Sequence, residues 1–216
     1  KEGVSCTYKH FDGYAPIFAY IGPYGFMLDN QLRPGSTHSN GEGTKSWLKQ
    51  VLRRAEKVAP ARRLVVTDAG HDAADNLQLL AKTEDTDFIV KKNLRKSDPA
   101  DWLEEAKRQT PEGGRERVDL GAWAYYGETQ QTVPGTDRTM RVVWRAIDRF
   151  ADPNGQLEIG AMATTIEAYW TTLDWPPGVV QRFYEQRGTS EQFHSELKTD
   201  LGLERLPSGK LQANQH

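Results

Sequence analysis

The sequence predicts an α/β fold with a β-rich insertion in its second half, and three observations predict it. From Tyr8 to Lys91 short apolar runs alternate with amphipathic helical stripes; a strand, a turn and a helix follow one another directly in LVVTDAGHDAADN (64–76); and from Arg117 to Thr172 the chain turns to long stretches of aromatic and β-branched residues.

The first element pair is Tyr8 to Ile21 (YKHFDGYAPIFAYI) and Phe26 to Arg33 (FMLDNQLR), read as adjacent antiparallel strands either side of Gly22-Pro23. From Thr44 to Val58, Trp47, Leu48, Val51, Leu52 and Ala55 form one apolar stripe on a helix, which Pro60 ends. Leu64-Val65-Val66 is a short buried strand, followed by Thr67-Asp68-Ala69-Gly70 and a helix from Asp72 to Lys82 carrying Ala73, Leu77 and Leu80. Asp87 to Lys91 (DFIVK) is the next strand. The β-rich part reads RVDLGAWAYYGE, RTMRVVWRAIDRF and QLEIGAMATTIEAYWTTL, joined by turns at Pro134-Gly135 and Pro153-Asn154-Gly155. Trp175-Pro176-Pro177-Gly178 closes it, and Pro177 opens a helix through Val179, Val180 and Phe183. These readings divide the chain into 1–110, a first part of an α/β core; 111–175, the β-rich insertion; and 176–216, carboxyl-terminal helices of the core.

Composition narrows the functional classes. A chain of 216 residues holds one full core, or one core and an insertion. Lys and Arg number 28 against 30 Asp and Glu, which excludes a basic nucleic-acid coat and leaves DNA contact to local clusters. One such cluster runs from Lys45 to Arg63 through Lys49, Arg53, Arg54, Lys57 and Arg62, with Glu56 as its acid. A solvated helix face and a phosphate-contacting face explain it equally well. Cys6 is the single cysteine, so no internal disulfide forms, and a reducing cytoplasm fits. Mean hydropathy is −0.71 and no long apolar run occurs, so neither a membrane span nor a signal peptide is expected. The first residue is Lys1 and the last segment is LQANQH, which suggests a fragment of a longer reading frame.

Two places carry chemistry. Asp68 follows an apolar strand and precedes a helix, so it projects from the carboxyl end of a sheet, where open α/β sheets hold their ligands. Taken alone it reads more readily as a turn or cap residue, although Asp72 is the better N-cap. Near the end of the chain, YEQRGTSEQFHSELK sets Tyr184, Arg187, Glu191 and Lys198 at the spacing Y-x2-R-x3-E-x6-K. Gly188 is expected to break the helix after Arg187, and Thr189-Ser190-Glu191-Gln192 to open another with a capping box. Glu191, His194 and Lys198 then share one face, and Tyr184 and Arg187 another. Arg187 offers a bidentate fork to phosphate, Lys198 a point charge and Tyr184 a hydroxyl or stacking face. An ordinary ion-paired helix face accounts for any two of these residues, and His194 reads as an exposed side chain.

The four-residue spacing resembles the signature of bacterial DDE transposases of the YREK type, the DNA-cutting enzymes of insertion sequences. KEGVSCTYKHFDGYAPI resembles the segment after the first catalytic Asp in that family, and NQLRPGSTHS the loop after the next strand. The resemblance implies a ribonuclease H-like core, its first strand missing or incomplete, with the β insertion between the second and third carboxylates. The order read from the sequence, strand, strand, helix, strand, helix, strand, matches that fold. It further implies Asp68 and Glu191 as catalytic metal ligands, with Tyr184, Arg187 and Lys198 on the DNA backbone near the scissile phosphate. Metal-clamped displacement at phosphorus uses carboxylate-held divalent ions, here Mg2+ with Mn2+ as substitute. Implied partners are the element's terminal repeats and target DNA, bound by a homodimer, in the cytoplasm at the bacterial nucleoid. The family's first Asp has no counterpart here: Asp12 reads as a turn residue before Gly13, and Asp29 lies in a later strand. Little or no catalysis is therefore expected of the fragment. A non-catalytic DNA-binding remnant and another ribonuclease H-like nuclease are the rival readings.

Overall fold

The protein is described by a computed structural model that covers residues 2–6, 10, 12–38, 40–41, 43–95, 97–111, 113–151, 164–188, 193 and 208–210. The chain divides into two compact units, Lys1–Arg62 with Gln186–His216, and Arg63–Glu185.

In the first unit, β1 (Ser5–Cys6) and β2 (Asp12–Gly13) form a minimal antiparallel ladder, and β3 (Ile17–Ile21) pairs antiparallel with β4 (Phe26–Gln31). The expected hairpin is present, but its first strand starts at Ile17 rather than Tyr8. Pro16 supplies no N–H to a ladder, and Asp12 and Gly13 pair with β1 instead. Asp12, expected in a turn, lies in β2. Gly22 and Gly25 both take positive φ (71° and 67°) at the ends of the β3–β4 turn, a conformation glycine reaches at no steric cost. The helix α1 (Thr44–Val58) has the bounds its apolar stripe predicts, and it buries Trp47, Leu48 and Leu52. Its polar anchor is Asp29 on β4, buried, which pairs with Arg54 at 2.7 Å. The buried Arg33 guanidinium donates to the Ala15 carbonyl at 3.0 Å and to Thr44 Oγ1 at 3.3 Å, fixing the start of α1 beside the strands.

The second unit is built on a six-stranded mixed sheet in the order β5-β6-β10-β9-β8-β7. Its strands are β5 (Arg63–Thr67), β6 (Thr86–Lys91), β7 (Glu116–Asp119), β8 (Ala122–Thr132), β9 (Thr139–Arg149) and β10 (Thr164–Thr171). Only β5 and β6 are parallel, joined through α2 (Ala74–Lys82). The three β-rich segments thus extend the core sheet directly: β10 pairs with β6 from Tyr169↔Lys91 to Thr171↔Ile89. The expected turn at Pro153-Asn154-Gly155 and residues 156–163 of the last segment lie outside the described residues.

Helices cover both faces of this sheet. Neighbouring residues on a strand point to opposite faces. Val143 joins Ile89, Tyr169, Val180 and Tyr184 in the cluster under α4 (Pro177–Glu185), while Trp144 meets Trp102 of α3 (Pro99–Gln109) edge-on at 4.9 Å. The sequence reading passed over α3. Its signals are an Asp98 N-cap whose side chain accepts from the Ala100 N–H, Pro99 in the first turn, and a Trp102-Leu103-Ala106 stripe. Trp144 also donates its indole N–H to the Trp102 carbonyl at 3.0 Å. Its ring fits because Gly127, paired with it on β8, has no side chain: a Cβ there would lie 2.2 Å from the indole.

Candidate active site

The carboxyl ends of the parallel strands β5 and β6 carry one of the candidate groups, Asp68. Asp68 directly follows β5 and opens a single 3-10 turn, Ala69–His71, with extended backbone at φ −79°. Its Oδ1 accepts from the Gly70 N–H at 3.0 Å and lies 3.1 Å from His71 Nδ1. The side chain keeps 49 % of its accessible surface. It caps a turn with one oxygen and still presents a half-exposed carboxylate at the sheet's carboxyl end. His71 escaped the sequence reading; its signal is the i+3 spacing from Asp68 across a Gly-containing turn.

Asp72 departs from expectation. Ala73, with extended backbone and no side-chain cap, precedes α2 instead. The reason is a stronger engagement: Asp72 is buried, with Oδ1 accepting from Trp170 Nε1 at 2.9 Å and Oδ2 from the Asn93 N–H at 2.7 Å. One carboxylate thus ties the turn after β5 to the end of β6 and to β10. Buried Asn76 adds a bond from Nδ2 to the His71 carbonyl at 3.3 Å, so the Asp68 turn is braced at both sides.

Two lysines flank this end of the sheet. Lys92 Nζ stands 4.0 Å over the Trp170 ring; burial holds its pKa below the usual lysine range, with Asp72 acting in the opposite direction. Lys91 Nζ lies 3.6 Å from Glu167 and 5.9 Å from the centre of the Tyr184 ring.

The signature residues divide. Tyr184 lies on α4 and is 8 % exposed, its ring 4.6 Å from that of Tyr169. The helix ends at Glu185, two residues before the expected break, and Arg187 follows in a turn, partly exposed. Glu191, His194 and Lys198, with the capping box around Glu191, lie outside the described residues. Among the described residues no three His, Cys, Asp or Glu side chains converge as a ligand set. The carboxylate of Asp68 and the imidazole of His71 do not by themselves complete the oxygen-rich shell that a hard divalent cation requires.

A mixed sheet with helices on both faces, and a half-exposed carboxylate just after its first parallel strand, define an α/β domain. The chain belongs to the transposase DDE domain group 1 family, whose model matches residues 1–216. The mixed sheet is compatible with the ribonuclease H-like fold of such transposases. Membership makes it an enzyme domain acting on DNA, from a class that typically uses a divalent metal. No curated protein matches the chain at a significant level. Among the described residues no helix is long and apolar enough to cross a membrane.

Proposed function

We propose that this chain belongs to an insertion-sequence transposase of the YREK type, an enzyme that cleaves DNA at element ends and joins the freed 3′-hydroxyl to target DNA. The observation that carries the proposal is the half-exposed Asp68 carboxylate at the carboxyl end of β5, in a chain that matches the family over its whole length. Asp68 and Glu191 act as the second and third carboxylates of the triad. Asp29 is not a candidate for the first, because its carboxylate is buried and committed to Arg54. Mg2+, with Mn2+ as its substitute, supplies when bound the stabilisation of charge at the phosphorus oxygens.

The chain's own residues do the rest. His71 and the Gly70 N–H hold Asp68 Oδ1 in place. Arg187 and Lys198 contact the DNA backbone near the scissile phosphate. Tyr184 joins them only through the small part of its side chain that reaches solvent. With two of three carboxylates assigned, cleavage by this chain is expected to be weak or absent, so the test reads metal and DNA binding first. The acting form is a homodimer on paired element ends.

The experiment is a Mn2+ titration followed by paramagnetic broadening of backbone amide resonances. Broadening centred on Gly70 and His71, lost in Asp68→Asn and weakened in Glu191→Gln, supports the reading. Broadening indifferent to Glu191→Gln overturns the pairing of the two carboxylates. DNA binding untouched by Asp68→Ala and independent of Mg2+ favours a non-catalytic DNA-binding remnant.

A further inference from the structure

We infer that the exposed ridge Lys45, Lys49, Arg53 and Lys57 on α1 is a docking surface for the phosphate backbone of duplex DNA, read without regard to base sequence. The inference rests on the reading of the chain as a DNA-acting transposase domain and gives that reading a surface remote in sequence from the signature.

The structure sorts six of the seven cations of the basic cluster, all but Arg62, into two sets. Arg54 turns inward to the buried Asp29, and Arg63 donates to the Glu84 carbonyl at 2.9 Å at the start of the second unit's sheet. These two cations are structural. Lys45, Lys49, Arg53 and Lys57 are exposed and recur at every fourth residue, which places them along one i±4 row of the helix surface. The opposite stripe is held down by Trp47, Leu48 and Leu52, so the ridge is presented on a fixed frame. Lys49, Arg53 and Lys57 form no ion pair with a carboxylate among the described residues.

Charge and length select the partner. Like charges at i and i+4 destabilise a helix, so the two successive steps from Lys49 through Arg53 to Lys57 bear a cost that an external anion relieves. Lys57 also benefits from the helix's carboxyl-terminal dipole, but Lys45, in the first turn, sits at the end that disfavours a cation. The ridge rises about 18 Å from Lys45 to Lys57. That length meets about five successive phosphates of one strand, at roughly 3.4 Å of axis each. Three of the four side chains are lysines, point charges suited to phosphate rather than to reading base edges.

The test is salt-dependent binding of fluorescent duplexes of two unrelated sequences to the 216-residue chain, followed by anisotropy without divalent cation. In Lys45→Gln/Lys49→Gln/Arg53→Gln/Lys57→Gln, the slope of log affinity against log salt is expected to fall in magnitude by about 3 to 4, equally for both duplexes. Arg54→Gln is expected to lower the melting temperature and leave the slope alone. An unchanged slope in a fourfold variant that melts normally overturns the inference, as does a wild-type chain that binds neither duplex at low salt. Should the fourfold variant not fold, Lys49→Gln/Arg53→Gln is read in the same way for half the loss. An unchanged DNA slope together with lost binding to phosphatidylserine vesicles also overturns it, in favour of an anionic membrane surface. Because no metal enters this assay, failure here is distinct from failure of the Mn2+ titration.

Discussion

Tyr184, the first residue of the signature, lies with its ring 4.6 Å from Tyr169 and closes the cluster that α4 buries against β6, β9 and β10. A residue singled out for contact with DNA is thus also part of the core. Tyr184→Ala is expected to cost about 3–5 kcal/mol, the range for removing a buried aromatic ring. Tyr184→Phe keeps the ring and is expected to cost a small fraction of that. Urea unfolding of both variants checks this; a loss below about 1 kcal/mol in Tyr184→Ala contradicts the packing described. Only the Phe variant then tests a role of the hydroxyl at DNA.

Asp72 offers a second measurement. Asp72→Ala removes the acceptor of both Trp170 Nε1 and the Asn93 N–H. Each orphaned donor is expected to cost about 1–3 kcal/mol. The Trp170 environment should change with it, and its fluorescence is the readout. Equal stability of wild type and variant would show that the carboxylate is not the tie between β5, β6 and β10.

Gly127→Ala places a methyl group into the Trp144 indole. Either the ring shifts off the Trp102 carbonyl or the strand bends, and overpacking of this kind costs about 1–3 kcal/mol. Denaturation together with near-ultraviolet circular dichroism tests it, with unchanged spectra and stability as the contrary outcome.

The pH dependence at the alkaline side has a defined sign. Burial and the hydrogen bond to Glu116 push the Tyr126 phenol up to about 12, above its ordinary 10. The folded chain then holds a proton that the unfolded chain has lost. Stability from this group is fully present below pH 10 and is lost as pH rises towards 12. Melting temperatures between those limits are expected to fall less steeply in Tyr126→Phe; parallel curves would remove Tyr126 as a contributor.

The elements legible in the sequence were those with a strong local period. The stripe Trp47, Leu48, Val51, Leu52, Ala55 gave α1 its observed bounds, and Leu64-Val65-Val66 and DFIVK gave β5 and β6 within a residue at each end. Local period says nothing about long-range pairing. Nothing in RVDLGAWAYYGE or its neighbours announces that these strands continue the β5–β6 sheet. Residues whose role depends on a distant partner were misread for the same reason: Asp72 resembles a cap until Trp170, far along the chain, claims it. At the candidate site the strand-turn-helix position of Asp68 was readable, whereas the ring contact that buries Tyr184 was not.

The pairing of β6 with β10 also sets the order in which the second unit can assemble. β5, α2 and β6 are neighbours along the chain and can associate early, as local contacts do. The other edge of β6 is closed only by β10, whose Thr171 bonds to the Phe88 carbonyl across 83 residues of sequence. During synthesis, therefore, the apolar strand Asp87 to Lys91 leaves the ribosome with one flank unpaired and waits while β7, β8 and β9 are made before β10. An open edge of this kind is where chains join one another. The nascent polypeptide is most vulnerable to aggregation in that interval, and slower translation or chaperone capture between β6 and β10 should govern its soluble yield.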